Sequence, residues 1–236
     1  DWPRAITATK RMEVLAKTPY FREIAEYHCE IAQAALVRRD DAVVRSEIDE
    51  ALATHRGCVR ATLVSGDLAL AQGDAREAIA QWQRIETQSP AFLSLAADRI
   101  ADAFRARNDA EQGIRVLGSW QAQYPSLDIL NALFALVLEK QGALAAAELI
   151  KDELAKNPTL LGLDRLLEAQ LLSAPPERRH DLELVKGLVG AHIKRLGMYR
   201  CDHCGFRAKQ FYWRCPSCQK WETYSPKRTE SPDGFA

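Results

Sequence analysis

The feature that restricts this chain most is a recurrence of about 34 residues through its first two thirds. Prolines at 90, 125 and 158 lie 35 and 33 residues apart, and each closes a stretch whose apolar residues return at three- and four-residue spacing. That spacing puts the apolar residues on one face of an α-helix, and the abundant alanine with few β-branched runs favours helix over strand. The clearest unit runs from Val59 to Pro90. In it Gly66 stands where two helices approach closely, Gly73 falls in the turn, Ala78 is the small residue of the second helix, Trp82 is the large one and Pro90 is the stop. One period earlier, Ala32, Val44, Ile48 and Ala51 occupy the places of Gly66, Ala78, Trp82 and Ile85. The next unit carries Phe104 and Leu117 as large residues with Asn108 at its turn, and the one after it has Gly142 at the turn with Ala146 and Ala147 as small residues.

Helix–turn–helix units of this period are the tetratricopeptide pattern. The expected fold class is therefore all-α, a tetratricopeptide-repeat solenoid over residues 1–158, with residues 2–17 as the second helix of a unit whose first helix lies upstream. After Pro158 the period fades. Residues 159–172 and 177–196 read as two capping helices, parted by Ala174-Pro175-Pro176, within a segment 159–197. A helical array presents the first helix of each unit along a concave face. The non-core positions of those helices give a candidate partner-binding set: Glu26, Gln33, Arg60, Asp67, Asp98, Asp102 and Arg105.

The end of the chain reads differently. Between Tyr199 and Trp221 lie two C-x-x-C pairs, Cys201/Cys204 and Cys215/Cys218, ten residues apart. Each pair aims two thiolates at one ion, and four such sulfurs close a tetrahedral shell. Zinc and iron both accept that donor set, so one iron or zinc ion is expected, without a choice between them. Structural disulfides would instead require an oxidising compartment. Gly205 follows the first pair, where positive φ helps the backbone fold over the sulfurs; Gln219 takes the equivalent place after the second. Phe206, Phe211, Tyr212, Trp213 and Trp221 are the apolar cover expected for a rubredoxin-like or zinc-ribbon-like module at 198–224. So short a segment folds with metal and is expected to pack on its neighbouring helices. Residues 225–236 are polar with Pro and Gly, and a flexible tail is expected there.

Charge is balanced at 32 basic and 32 acidic residues, so no overall charge points to nucleic acid or to a membrane surface. Residues 199–236 hold seven basic and four acidic side chains, net +3 against net −3 for the rest. No run of 18 apolar residues occurs, so no segment of this sequence is expected to span a membrane. Cys29 and Cys58 read as isolated small hydrophobes. His28, His55, His180, His192 and His203 are scattered. No Ser/His/Asp grouping, phosphate loop or H-E-x-x-H stretch stands out, so a non-enzymatic scaffold is the expectation.

Repeats ending in Tyr199-Arg200-Cys201, Cys204-Gly205-Phe206, Tyr212-Trp213 and Cys215-Pro216-x-Cys218, with AEYHCEIAQAAL around Cys29, resemble the lipopolysaccharide assembly protein B family. The resemblance covers essentially the whole chain. It implies an adaptor at the cytoplasmic face of the bacterial inner membrane, held by an N-terminal transmembrane helix that this sequence does not include. It also implies that the adaptor links the membrane protease FtsH to the deacetylase LpxC and so restrains lipopolysaccharide synthesis. The metal ligands carry over as Cys201, Cys204, Cys215 and Cys218. Two other uses of such a module remain open. One is electron transfer. The other is nucleic-acid binding by Arg200, Arg207, Lys209, Arg214 and Lys220 among the aromatics, although no nucleic acid is expected as a partner.

Overall fold

The structure, a computed structural model, describes residues 1–194, 199–228 and 230. The linker residues 197–198 and most of the expected tail, 229 and 231–236, lie outside the described residues. The chain divides into two compact units, residues 1–96 and 97–236.

The first unit holds α1 (Trp2–Ala16), α2 (Phe21–Val37), α3 (Asp41–Thr54), α4 (Val59–Ala71) and α5 (Ala75–Gln83), which a single turn, α6 (Ile85–Gln88), continues. Consecutive helices pair as the repeat requires, α2 with α3 and α4 with α5, while α4 also lies beside α2. Trp2 of α1 stacks on Tyr27 of α2 at 5.5 Å between centroids. The equivalences read one period apart are all core positions: Ala32, Val44, Ile48, Ala51, Ala78, Trp82 and Ile85 are buried. Gly66 fits against the indole of Trp82 so closely that a Cβ there would lie 2.2 Å from its Nε1. That nitrogen donates to the Leu63 carbonyl at 3.1 Å. Asp40 and Asp74 accept backbone N–H groups at the starts of α3 and α5, leaving fewer orphan donors in the first turn.

The second unit contains α7 (Leu93–Ala106), which begins just before its boundary, then α8 (Ala110–Gln123), α9 (Leu127–Gln141), α10 (Ala143–Lys156), α11 (Leu160–Ser173) and α12 (Pro176–Ile193). First helices of successive pairs thus begin at Phe21, Val59, Leu93, Leu127 and Leu160, 33 to 38 residues apart. The helices expected as caps keep the period as a fifth pair, α11 packing on α10 and α12 on α11. The sequence signal fades there because α12 buries no residue fully, so its outer positions are free to vary. The first four helix pairs each turn at a residue with positive φ, Arg39 (59°), Gly73 (83°), Asn108 (54°) and Gly142 (89°), whereas the fifth turns through Ala174 and Pro175 in extended conformation. Glycine and asparagine announce that conformation in sequence, and arginine does not. Two short strands, β1 (Tyr199–Arg200) and β2 (Arg207–Ala208), pair antiparallel with Tyr199 opposite Ala208 and Arg200 opposite Arg207. No described helix is long and apolar enough to cross a membrane.

Candidate metal centre

Two backbone knuckles of the same construction carry the four cysteines. In the first, the Cys201 N–H donates to the Phe206 carbonyl and the Gly205 N–H donates to the Cys201 carbonyl, both at 2.9 Å. In the second, the Cys215 N–H donates to Lys220 and the Gln219 N–H to Cys215, again at 2.9 Å. Closing each knuckle needs a left-handed residue after the second cysteine, and Gly205 (φ 76°) and Gln219 (φ 62°) supply it. Gln219, in the place that Gly205 has in the first knuckle, therefore keeps the glycine conformation. Its side-chain amide donates to the Pro216 carbonyl at 2.7 Å, which helps to hold that strained turn.

The four Sγ atoms lie within 4.8 Å of one another. Cys201 and Cys218 are 3.9 Å apart, and Cys204 and Cys215 are 3.7 Å apart. A tetrahedron with metal–sulfur bonds of about 2.3 Å has edges of about 3.8 Å, so the sulfurs stand where one zinc or iron ion needs them. His203 is exposed in the first knuckle and is not part of the group.

Protonation follows the same geometry. Burial works against a Cys201 thiolate, yet the contact with the Thr223 hydroxyl at 3.2 Å and hydrogen bonds from the backbone N–H groups of Cys204 and His203 outweigh it and hold the thiol down at about 6. Burial likewise opposes a Cys215 thiolate, and the Cys218 and Ser217 N–H groups outweigh it. At Cys218 the Lys220 N–H favours the thiolate, but burial and three neighbouring sulfurs push the thiol up to about 11. A group that loses its first protons easily and its last with difficulty is one whose accumulated negative charge calls for a cation.

The module is docked. Tyr199, Cys201, Cys215 and Tyr224 form one buried cluster with Leu161 of α11, and Leu127 of α9, Ile193 of α12, Phe211 and Tyr212 pack around it. Phe211 meets Tyr199, Trp213 and Tyr224 edge-on, with centroids 6.0, 5.0 and 6.4 Å apart. Of the expected apolar cover, Phe206 is corrected: it is 41% exposed and is not among the residues that form or flank the module's buried cluster. Tyr199 and Tyr224 take its place in the core.

The expected flexible tail is also corrected in part. The Arg228 guanidinium pairs with buried Asp128 at 2.8 Å and lies 3.4 Å from the Tyr199 hydroxyl. Glu230 accepts the Leu160 and Leu161 N–H groups at 2.5 and 2.6 Å, satisfying orphan donors at the start of α11. Burial pushes the Asp128 carboxyl up to about 6 even with Arg228 beside it. Sequence reading missed Asp128, Thr223, Tyr224, Arg228 and Glu230, since each acts through a partner 22 to 100 residues away and no local spacing marks it.

The candidate partner-binding residues divide. Arg60 of α4 donates to Glu26 of α2 at 2.9 Å, to Glu30 at 2.8 Å and to Gln33 at 2.6 Å, and Glu26 and Arg60 are buried. The expectation that they line an open face is corrected, because first helices one period apart lie side by side and these long side chains bridge them. Asp67 is half-buried. In the second unit Asp98 and Asp102 are exposed, and Arg105 pairs with Asp102 and with Glu139 at 2.6 Å. Asp98 and Arg105 line a groove of about 540 Å³ with Asn131, Phe134, Arg165 and Glu168. Asp98 is exposed as a residue, but the partial loss of hydration of its carboxyl at the groove, together with the neighbouring Asp102, raises that carboxyl above its ordinary value. Cys29 and Cys58, read as isolated, have sulfurs 3.6 Å apart in the core of the first unit.

Residues 199–226 match the family of rubredoxin metal binding domains. The chain is 25% identical over 97% of its length to lipopolysaccharide assembly protein B of Escherichia coli K12, and 27% identical over 96% to that of Haemophilus influenzae. It spans 59% and 57% of those relatives. Among solved structures it is similar in fold to Pseudomonas aeruginosa pilF, with a TM-score of 0.50 and 11% identity over 72% of this chain and 77% of that one. Helical repeats and cysteine module alike thus resemble lipopolysaccharide assembly protein B, and residues 199–226 are a rubredoxin-type metal-binding domain.

Proposed function

We propose that this protein is a non-enzymatic adaptor in lipopolysaccharide assembly, in which one iron or zinc ion held by Cys201, Cys204, Cys215 and Cys218 fixes the C-terminal module on the end of a repeat array. The observation that carries this reading is the collinear likeness to lipopolysaccharide assembly protein B across 97% of the chain, repeats and module in the same order. The docked module adds support, since Tyr199 and Arg228 engage α9 and α11 rather than leaving the sulfurs on a free electron carrier. Bound metal would supply charge neutralisation and a crosslink between the two knuckles; the chain's own N–H groups hold the sulfurs, and Tyr224 and Phe211 exclude water from one side.

The adaptor would act at the cytoplasmic face of the inner membrane and link the protease FtsH to the deacetylase LpxC. The groove beside Asp98, Asp102 and Arg105 is the surface we assign to a protein partner. Co-purification of the full chain with FtsH and LpxC tests the reading, with Asp98→Lys and Asp102→Lys combined as the perturbation. Retention of both proteins, weakened in the variant at unchanged helical content, is expected. Retention of neither by the metal-loaded protein would overturn the adaptor role, and unchanged retention by the variant would overturn the groove.

A further inference from the structure

The four sulfurs are not equally placed. Cys201 and Cys215, one from each knuckle, are fully buried, whereas Cys204 is exposed and Cys218 half-buried. Four thiolates around one divalent ion keep a net negative charge, and each sulfur sheds part of it by accepting hydrogen bonds. Water can serve Cys204 and, in part, Cys218, but solvent does not reach the other two. Beyond the N–H groups of the knuckles, two hydroxyls stand in that dry interior, both from the segment that follows the second knuckle. Its backbone is fixed there: the Glu222 N–H donates to the Trp213 carbonyl at 2.8 Å, the Asp202 N–H donates to the Thr223 carbonyl at 2.7 Å, and Tyr224 bridges to Cys201. Thr223 Oγ1 lies 3.2 Å from Cys201 Sγ. A thiol there donates its S–H to that oxygen, and the hydroxyl's own proton goes to the Lys220 carbonyl in a long contact of 3.4 Å. A metal-bound sulfur has no proton to give, so the pair survives only with its direction reversed, Thr223 O–H donating to sulfur. Tyr224 packs in one cluster with Cys201 and Cys215, and its buried hydroxyl has no hydrogen-bond partner among the described residues. Leaving such a group unpaired is costly, so an orphan of this kind marks a missing acceptor. Burial, and after it the charge of Cys215, raises the phenol above its ordinary value, so the proton stays on the oxygen.

We propose that Thr223 and Tyr224 are positioning residues of the metal centre, whose hydroxyls donate to the Cys201 and Cys215 thiolates once an ion is bound. The inference rests on reading the four cysteines as a metal centre and adds two donors that belong to neither knuckle. Hydrogen bonds to thiolate are charge-assisted, and here they draw negative charge off the two sulfurs that water cannot reach. They should therefore tighten the hold on the ion and favour the state of higher negative charge, which for iron is the reduced one.

The full chain is loaded with zinc to measure affinity, by competition with a chromogenic chelator, and with iron to measure the reduction potential. Thr223→Val keeps the side chain's shape without its hydroxyl, and Tyr224→Phe keeps the ring. Each should weaken zinc binding about tenfold, as loss of a residue that supports a metal ligand does, and should lower the iron potential. Thr223→Ser retains the hydroxyl and should stay close to the parent in both measurements. Equal weakening by Thr223→Ser and Thr223→Val would overturn the proposal, because shape and not the hydroxyl would then matter. Potentials of Thr223→Val and Tyr224→Phe equal to the parent's would also overturn it, even with weaker zinc binding, and would leave both residues as packing alone. A parent chain that takes up neither ion would overturn the metal centre itself and this inference with it.

Discussion

Gly66→Ala and Gly118→Ala are the same substitution in helix interiors, yet their effects should differ in sign. In an open helix alanine is favoured over glycine by about 0.8–1 kcal/mol. Gly118 in α8 has no heavy atom within 4 Å of an added Cβ, so Gly118→Ala should stabilise by nearly that amount. At Gly66 the added Cβ would lie 2.2, 2.5 and 2.6 Å from three atoms of the Trp82 indole. Trp82 is fully buried and tied by its Nε1–H to the Leu63 carbonyl, so the ring has no free direction in which to retreat. Overpacking of this kind costs about 1–3 kcal/mol, and displacing the indole from its hydrogen bond costs about 1 kcal/mol more. Against the gain in propensity, a net loss of about 1–3 kcal/mol is expected. Urea unfolding followed by helical circular dichroism measures both variants. A stability for Gly66→Ala equal to or above that of the parent would refute the close approach of α4 and α5 on which the repeat reading rests.

Other consequences are equally open to measurement. Arg60→Ala strands the buried Glu26 carboxylate and should cost about 3–5 kcal/mol; a loss below 1 kcal/mol in the same urea assay would show the pair is not buried as described. Asp128 titrates at about 6 in the folded chain, above its ordinary value, so its contribution is complete below about pH 4 and is lost as pH rises through about 6. Roughly 1.4 kcal/mol of that loss falls between pH 5 and 7.5, and it should vanish in Asp128→Asn; parallel stability curves for parent and variant would contradict it. Gln219→Gly relieves a positive φ and should slow metal release to a chelator, with a gain of up to about 1 kcal/mol less the lost amide contact to Pro216. Faster release would mean that contact matters more than the backbone.

The parts of this fold that were legible in the sequence are those fixed by local chemistry. Gly73, Asn108 and Gly142 mark turns because only a few residues tolerate positive φ, and the cysteine pairs mark knuckles because two thiolates at that spacing reach one ion. Arg39 adopts the same conformation without announcing it: it is exposed, and the hydrogen bonds that close α2, Arg39 N–H to Leu36 and Asp40 N–H to Ala35, need a left-handed residue there whatever its preference. Glu26 and Arg60 show the converse limit: helical phase put them on a common face, but not how close neighbouring first helices run, and that distance turns a surface pair into a buried one. The docking of the module was foreseeable from its lack of core. Its chosen contacts, Arg228 on Asp128 and Glu230 on the start of α11, pair residues 100 and 70 positions apart and leave no pattern in sequence.

The central claim is that metal folds the cysteine module and that the folded module is part of the array's end. Hydrogen exchange of the full chain before and after chelation tests it most directly. Removal of one metal ion per chain should speed exchange through residues 199–226 and, in the same step, at the start of α11, where Glu230 covers Leu160 and Leu161, and around Leu127 of α9. Faster exchange confined to residues after 198, with α9 and α11 unchanged, would contradict it.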